Sequence, residues 1–136
     1  MTTAASSRVN ATAPCPCAPD RAYATCCGRY HGGEPAPTAE ALMRSRYSAY
    51  VLGLSEYLSS TWHSGTQPLD LRLQNEAPRQ WLGLDIRRSL AGTDNNATVE
   101  FVARFKIDGR AFRLHETSRF IREQGRWYYV DGDIHD

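Results

Sequence analysis

The sequence predicts an α+β protein in which helices cover one face of a curved antiparallel sheet, with a small cysteine-rich module in front of them. Apolar residues recur at three- and four-residue spacing between residues 43 and 58, which is typical of an amphipathic helix. The period changes to two in the later stretch TVEFVARFKI, as expected for a half-buried strand. Helices followed by a run of antiparallel strands favour the α+β class.

The composition is ordinary for a globular protein and excludes some classes of function. The 136 residues are 41% hydrophobic and 23% charged, and 16 basic against 15 acidic residues leave a formal net charge of +1. Binding to nucleic acid mainly by phosphate neutralisation needs a clear basic excess, so this class is disfavoured. No apolar run approaches the ~20 residues that span a bilayer, and the first fourteen residues lack the apolar segment of a secretory signal. We therefore expect a cytoplasmic protein without membrane contact.

The helical part is expected to begin after a linker at residues 34–38, which Gly32 and Gly33 precede and which contains Pro35 and Pro37. Thr38 is a suitable N-cap for the helix in AEALMRSRYSAYVL. Gly53 is expected to kink or divide this helix, and Ser55 is expected to cap a second short helix that runs through Trp62. The apolar stripe of these helices consists of six residues: Met43, Tyr47, Tyr50, Val51, Leu54 and Leu58.

The second half of the chain is expected to form strands joined by tight turns. A third short helix from about Glu76 to Trp81 precedes them, and the strand pattern begins near Leu84. Asp108-Gly109 and Gln124-Gly125 are hairpin signals. The first turn predicts five opposed pairs: Ile107–Arg110, Phe105–Phe112, Ala103–Leu114, Phe101–Glu116 and Val99–Ser118. The second turn predicts three: Arg122–Trp127, Phe120–Tyr129 and Ser118–Asp131.

Directly opposed residues share one face of a sheet, so this register places polar residues on the face that packs on the core. These residues are Glu116, Ser118 and Asp131. A buried carboxylate is costly unless it is paired or hydrogen-bonded. On the long helix, Arg44 and Arg46 flank the apolar stripe and could pair with a carboxylate of the sheet, near Tyr47 or Tyr50. We expect a structural ion pair; the alternative is a cavity in which Glu116 or Asp131 acts as a general base.

The four cysteines are clustered in a short segment as C-x-C, eight further residues and C-C: Cys15, Cys17, Cys26 and Cys27. In a reducing compartment, clustered cysteines more often bind metal than form disulfides. Four thiolates can close a tetrahedral shell around Zn²⁺. Paired disulfides and metal-free thiols are the alternatives, and they are less consistent with a cytoplasmic protein with four cysteines in thirteen positions.

His31 lies four residues beyond Cys27 and could replace one thiolate, because imidazole is also a zinc ligand. Cys27 is the preferred fourth ligand, since adjacent cysteines can both reach one ion when the chain turns at Gly28. A shell of four protein ligands leaves no position for water, so the predicted zinc ion is structural. It would stabilise a segment too short and too poor in apolar residues to fold alone.

The segment CPCAPDRAYATCC resembles the SEC-C zinc module known from the tail of the SecA translocation ATPase, whose pattern is roughly C-P-C-G-S-G-x-x-[YF]-x-x-C-[CH]. This resemblance implies that the four cysteines are the ligands and that Tyr23 is a packing aromatic residue. The chain departs from the pattern where Ala18, Pro19 and Asp20 replace Gly-Ser-Gly, which affects the backbone conformation of the loop.

With the stretches GRYH, ALMRSRYSAYVLG and LHETSRFIREQGRWYYVDG, nearly the whole chain is similar to the YchJ-like family of bacterial proteins. The resemblance implies a SEC-C module joined to a cone-shaped domain similar to nuclear transport factor 2 (NTF2). We expect a disordered N-terminus at 1–13, the zinc module at 14–33, a linker at 34–38 and the NTF2-like domain at 39–136.

The remaining histidines are expected to have no catalytic role. His63 follows a helix end, where a histidine usually favours the helix dipole or caps carbonyls. His115 lies on the face opposite Glu116 and is expected to be exposed, and His135 lies in the tail. No second histidine follows His115-Glu116 at the spacing of a catalytic zinc helix.

Two functions of different classes agree with these features. The first is an interaction protein in which the zinc module docks on a protein partner, as the resemblance to the SecA tail implies. The second is a small-molecule binder or a lyase or isomerase that uses a pocket in the cone. RNA or ribosome contact is a further alternative, since arginines are frequent in the strands but acidic residues interleave with them. Cone folds often pair through their sheets, so a homodimer is also an expectation.

Overall fold

The computed structural model describes residues 12–68, 79–92 and 95–135, so most of the N-terminus expected to be disordered lies outside it. The N-terminal part consists of β1 (Pro14–Cys15), β2 (Ala18–Ala22), a 3-10 turn (Tyr23–Thr25) and α1 (Cys27–His31). Two helices follow, α2 (Ala39–Leu52) and α3 (Ser55–Ser60). The second half forms β3 (Gln80–Ala91), β4 (Asn96–Ile107), β5 (Arg110–Glu123) and β6 (Arg126–His135). These four strands make one antiparallel sheet in chain order, which confirms the α+β prediction.

Helix α2 begins and ends where the sequence predicts. The hydroxyl oxygen of Thr38 accepts a hydrogen bond from the amide of Ala41 at 3.0 Å, which satisfies one free N–H of the first turn. Gly53 ends the helix in the left-handed region with φ 75°, a conformation that favours glycine. The helix packs against β3, β4 and β6. Its buried face includes polar residues that the apolar stripe does not predict: Ser45, Arg46 and Ser48.

Helix α3 is shorter than predicted and is capped differently. It begins at Ser55, preceded by Leu54 without a side-chain cap, so the prediction that Ser55 is the cap was wrong. It ends at Ser60 because strand β6 uses the next peptide groups: Tyr129 donates its amide to the carbonyl of Thr61 at 2.8 Å. Trp62 then forms an isolated bridge with Tyr129.

Within the described ranges, no helix is long and apolar enough to cross a membrane.

The third predicted helix is wrong where the structure describes it. Gln80 and Trp81 belong to β3, in which Trp81 pairs with Phe105 of β4. Residues 76–78 of that prediction lie outside the described residues. The aromatic ring of Trp81 packs against Tyr47 and Phe105, so tertiary packing into the core takes precedence over the local preference for a helix.

The first hairpin has the predicted register throughout. All five expected pairs are present, from Ile107–Arg110 at the turn to Val99–Ser118. Asp108 and Gly109 both have positive φ, at 51° and 82°, which is the conformation of a type I′ turn. Phe112 is nevertheless 39% exposed, contrary to its predicted place in the core. It lies near the turn and stacks on Phe105 with ring centroids 5.6 Å apart.

The second hairpin keeps the predicted register only near its turn. Arg122–Trp127 and Phe120–Tyr129 pair as expected, but a bulge between Arg119 and Phe120 shifts the remaining pairs by one residue. Asp131 therefore pairs with Arg119 and not with Ser118, so its predicted place on the inner face was wrong. A one-residue shift moves a side chain to the other face of a sheet. On that face, Arg119 donates hydrogen bonds to Asp131 at 2.6 Å and Asp133 at 2.7 Å.

The buried residues form one contiguous cluster that joins the N-terminal part to the sheet. It includes the four cysteines with Tyr23 and Tyr30, the face of α2 with Leu42 and Met43, and Phe120 from the sheet. Phe120 is 1% exposed and is among the largest fully buried side chains. The cysteine-rich part is thus covered by α2 and not by solvent.

Candidate metal centre and inner cavity

The four cysteine sulfurs converge on one point beneath helix α2. Each cysteine is buried, with at most 5% exposure. Cys17 Sγ lies 3.7 Å from the sulfur of Cys15, 3.5 Å from that of Cys26 and 3.6 Å from that of Cys27. All four sulfurs lie within 4.8 Å of one another. A tetrahedral zinc–thiolate site with Zn–S bonds of about 2.3 Å requires sulfurs about 3.8 Å apart. The cluster therefore fits a four-coordinate metal ion, and all four cysteines are free thiols.

Local structure explains how a short segment collects four sulfurs. Strands β1 and β2 form a tight two-stranded sheet that carries Cys15 and places Cys17 at its turn. The 3-10 turn returns the chain, and the amide of Cys26 donates to the carbonyl of Tyr23 at 3.0 Å. Gly28 allows the close approach, because a Cβ at this position would lie 2.7 Å from the carbonyl oxygen of Tyr23.

Helix α2 supplies polar contacts to the cysteine cluster that sequence analysis did not identify. The hydroxyl of Ser48 donates to Cys27 Sγ at 3.2 Å and lies 3.7 Å from Cys15 Sγ. Hydroxyl donors of this kind stabilise a thiolate and orient it. Arg44 contacts the carbonyl of Cys17 at 3.4 Å and the carboxylate of Glu40 at 3.1 Å. Arg44 therefore contacts the cysteine segment and its own helix. The prediction that it pairs with a carboxylate of the sheet was wrong.

His31 lies beside the cluster but directs its ring nitrogens elsewhere. Its Nε2–H donates to the carbonyl of Ser45 at 2.8 Å, which leaves Nδ1 to accept from the hydroxyl of Tyr23 at 2.6 Å. Burial lowers the pKa of His31 and keeps the imidazole neutral. Both nitrogens are thus engaged in holding α1 to α2 and to the 3-10 turn. Of the two candidates for fourth ligand, the structure places Cys27 and not His31 in the sulfur cluster.

When no cation is bound, ionisation of one thiol in the cluster opposes ionisation of its neighbours. Hydrogen bonds from the thiols of Cys17 and Cys27 hold the pKa of Cys15 far below its ordinary value. The same interaction with Cys15 raises the pKa of Cys17 to about 12 and also raises the pKa of Cys27, with burial adding to both. One thiolate therefore prevents ionisation of its neighbours. A divalent cation removes this conflict, since coordinated thiols lose their protons.

The second candidate site is a cavity of about 220 Å³ between α2 and the inner face of the sheet. Arg46, Tyr47, Glu116 and Ser118 all line it, so the structure brings together four of the six residues expected there. The carboxylate of Glu116 accepts from Ser118 at 2.9 Å and from the hydroxyl of Tyr129 at 3.4 Å. It also lies over Gly132, where a Cβ would overlap its oxygen. Arg44 and Asp131 do not line the cavity.

Arg46 is the buried charge of this cavity. It is only 4% exposed, and burial lowers its pKa. Nη1 donates to the carbonyl of Leu58 at 2.9 Å and to Thr61 Oγ1 at 2.6 Å. The guanidinium also lies over the ring of Tyr129, 4.7 Å from its centroid. No carboxylate of the described residues lies within 4.0 Å of it, so the expected ion pair with Glu116 is absent from this part of the chain.

Two further features separate this cavity from an ordinary core. The indole Nε1–H of Trp62 is buried and has no hydrogen-bond acceptor among the residues that the structure describes. Trp62 lines the cavity and lies 5.2 Å below the guanidinium of Arg46. Tyr47 lies opposite, and burial raises its pKa to about 12, so its hydroxyl stays protonated. The cavity thus holds a buried cation and an unused donor beside one carboxylate.

This fold and the cysteine cluster define an NTF2-like α+β domain preceded by a SEC-C-type cysteine module. A family model described as the YchJ middle NTF2-like domain matches residues 38–132. The chain belongs to this YchJ-like family, as the resemblance predicted.

Relatives and solved structures agree with this assignment. A UPF0225 protein of Bordetella parapertussis is 58% identical over 125 residues, which cover 90% of this chain and 93% of that protein. A UPF0225 protein of Chromobacterium violaceum is 56% identical, covering 93% of this chain and 96% of its own. The solution structure of a SEC-C motif containing protein from Rhodopseudomonas palustris is similar with a TM-score of 0.80 and 34% identity, covering 90% and 99% of the two chains. The crystal structure of a SEC-C motif containing protein from Psychrobacter arcticus is similar with a TM-score of 0.75 and 30% sequence identity. The match covers 95% of this chain and 85% of that one.

The contacts of His31 predict different results for two substitutions in the cysteine segment. His31→Ala removes the links to Tyr23 and Ser45 and destabilises the packing of α1, but it leaves the bound metal per chain unchanged. Cys27→Ser removes one sulfur of the shell and is expected to lower metal affinity by at least tenfold. Elemental analysis after dialysis against a weak chelator measures both. Equal metal loss in the two variants would contradict the exclusion of His31 from the shell.

Proposed function

We propose that the four cysteines bind one structural zinc ion and that the module they form docks the protein onto a protein partner. The observation that carries the metal proposal is the buried shell of four sulfurs at tetrahedral spacing. Thiolates are soft ligands, and Zn²⁺ accepts four of them without redox chemistry. Because all four positions are taken by protein, the ion has no open position for a substrate and serves folding.

The contacts of α2 support a structural role for this ion. Ser48 donates to Cys27, Arg44 contacts the carbonyl of Cys17, and His31 links α1 to Ser45. The zinc ion would hold the segment in the arrangement in which these three contacts form. Its binding energy would therefore stabilise both the module and its packing on the NTF2-like domain.

The docking proposal concerns the outer side of the same module. While its cysteines face α2, Pro19, Asp20 and Arg21 of β2 are exposed. Residues held rigidly by a metal-stabilised hairpin lose little conformational entropy when a partner binds them. The resemblance to the SecA tail favours this role, because that module docks on partners.

Affinity capture with the wild-type protein and three variants tests the docking proposal. The double variant Asp20→Arg with Arg21→Glu reverses the exposed charges of β2 without touching the sulfurs, and Cys15→Ser breaks the zinc shell. We expect both variants to reduce recovery of a specific partner by at least tenfold relative to wild type, while the charge variant retains its zinc. Glu123→Arg, an exposed charge change far along the chain, is the matched control. The same partners at the same yield with all versions would contradict a docking role.

A second candidate function rests on the cavity, which would bind a small molecule. In the enzymatic version of this function, the same cavity would carry out acid–base chemistry on that molecule. The unused donor of Trp62 and the buried guanidinium of Arg46 support it, because buried polar groups normally have partners. These donors would favour a ligand with an acceptor group such as a carboxylate. At about 220 Å³ the cavity is smaller than the ~300–1,000 Å³ typical of drug-sized ligands, so the ligand would be small.

Trp62→Phe tests this candidate, because it removes the N–H and keeps most of the ring. Ligand-observed NMR against small aromatic and aliphatic carboxylates identifies a binder, and its affinity is then compared between variants. We expect Trp62→Phe to weaken binding by about tenfold, as the loss of one buried hydrogen bond does. Trp127→Phe is the matched control, since Trp127 also has a buried Nε1–H without an acceptor in the described part of the chain but does not line this cavity. No binder, or equal weakening in both variants, would contradict a ligand site here.

A further inference from the structure

The outer face of the sheet carries a second group of metal-ligand side chains, distant in sequence from the cysteines. Glu100 of β4, His115 of β5 and His135 of β6 each offer one ligand atom, and these three atoms lie within 4.8 Å of one another. The three residues come from three neighbouring strands. A sheet is a rigid support, and ligands on regular strands are held more precisely than ligands on loops.

A bulge in the pairing of β5 with β6 creates this arrangement, with Val130 of β6 as the extra residue. Before the bulge the pairing runs Phe120–Tyr129, whereas after it His115 pairs directly with His135. Without the shift, His135 would face Leu114 and its side chain would lie on the other side of the sheet. The bulge therefore builds the histidine pair, in the same way that it removes Asp131 from the inner face. This is why sequence analysis placed His135 in the tail with no role.

The side chains already contact one another at short range. His115 Nε2 donates to the carboxylate of Glu100 at 2.6 Å, and the rings of His115 and His135 lie 4.4 Å apart. A hydrogen bond of 2.7 Å joins His135 Nε2 to Thr117 Oγ1 and fixes that ring. A zinc ion with nitrogen and oxygen ligands at about 2.0–2.1 Å needs ligand atoms about 3.4 Å apart. The side chains are half-buried or exposed, so their ends are free enough to turn and complete such a shell.

Charged side chains of both signs surround the group. Arg88 of β3 is the cross-strand partner of Glu100. Asp131 and Asp133 lie on the same face, and Arg119 pairs with both of them. Two carboxylates thus share one guanidinium, which leaves negative charge beside His135.

We propose that Glu100, His115 and His135 bind a divalent first-row transition metal ion, such as Zn²⁺, at a site independent of the cysteine cluster. Two imidazoles favour such ions over Mg²⁺ or Ca²⁺, which prefer oxygen ligands. Three protein ligands leave at least one coordination position for water or an exogenous ligand. This open position distinguishes the outer site from the closed four-cysteine shell.

The test is a Zn²⁺ titration of untagged protein whose cysteine site is already loaded with one equivalent. We expect isothermal titration calorimetry to detect a second equivalent, and expect the ring proton signals of His115 and His135 to shift in NMR spectra. His115→Gln and His135→Gln are each expected to weaken the second event by at least tenfold. Circular dichroism of both variants confirms that they remain folded.

His63→Gln is the matched control, because His63 also donates to a carboxylate, that of Glu123 at 3.2 Å, but has no third ligand in its described surroundings. It is expected to leave the second binding event unchanged. The proposal would be overturned if no second equivalent of Zn²⁺ bound. It would also be overturned if His63→Gln weakened the second binding event as much as His135→Gln does. Replacing Zn²⁺ by Co²⁺ gives an independent readout, since sulfur-to-cobalt absorption marks only the cysteine site.

Discussion

The structure depends on the convergence of four thiols at one buried point. Their sulfurs are spaced as a tetrahedral zinc shell requires, yet the interaction that lowers the pKa of Cys15 raises the pKa values of Cys17 and Cys27. A bound divalent ion would reverse this balance, because it stabilises all four thiolates at once. The segment that supplies the thiols has few apolar side chains of its own. We therefore propose that its packing on α2 depends on a metal ion bound by the cysteines.

Helix α2 connects the two candidate sites through polar residues on its buried face. Ser48 donates to Cys27, and Ser45 accepts from His31 on the side of the cysteine module. Arg46 lies one residue along and enters the cavity, where its guanidinium covers the ring of Tyr129. Helix α2 thus contacts both the cysteine centre and the cavity, whereas the histidine group lies on the opposite face of the sheet.

The sequence predicts those features that local physics determines. The Asp108-Gly109 turn and alternating apolar residues predict every pair of the first hairpin. The bulge at Arg119 has no comparable local signal, so Asp131 and His135 were placed on the wrong faces or given no role. Ser48 was missed because a serine on an apolar stripe carries no signal until its partner, Cys27, is known to lie above it. Cys27 and Glu116 were recognisable because a thiol pair and a core-facing carboxylate are unusual in themselves.

X-ray absorption at the zinc edge tests the central claim most directly. The sample is the full-length chain with one equivalent of zinc, so that the tighter site dominates the signal. The account predicts four sulfur neighbours at about 2.3 Å and no imidazole shell. A spectrum with nitrogen at about 2.0–2.1 Å in place of one or more sulfurs would contradict it. Failure of the protein to retain zinc would contradict it as well.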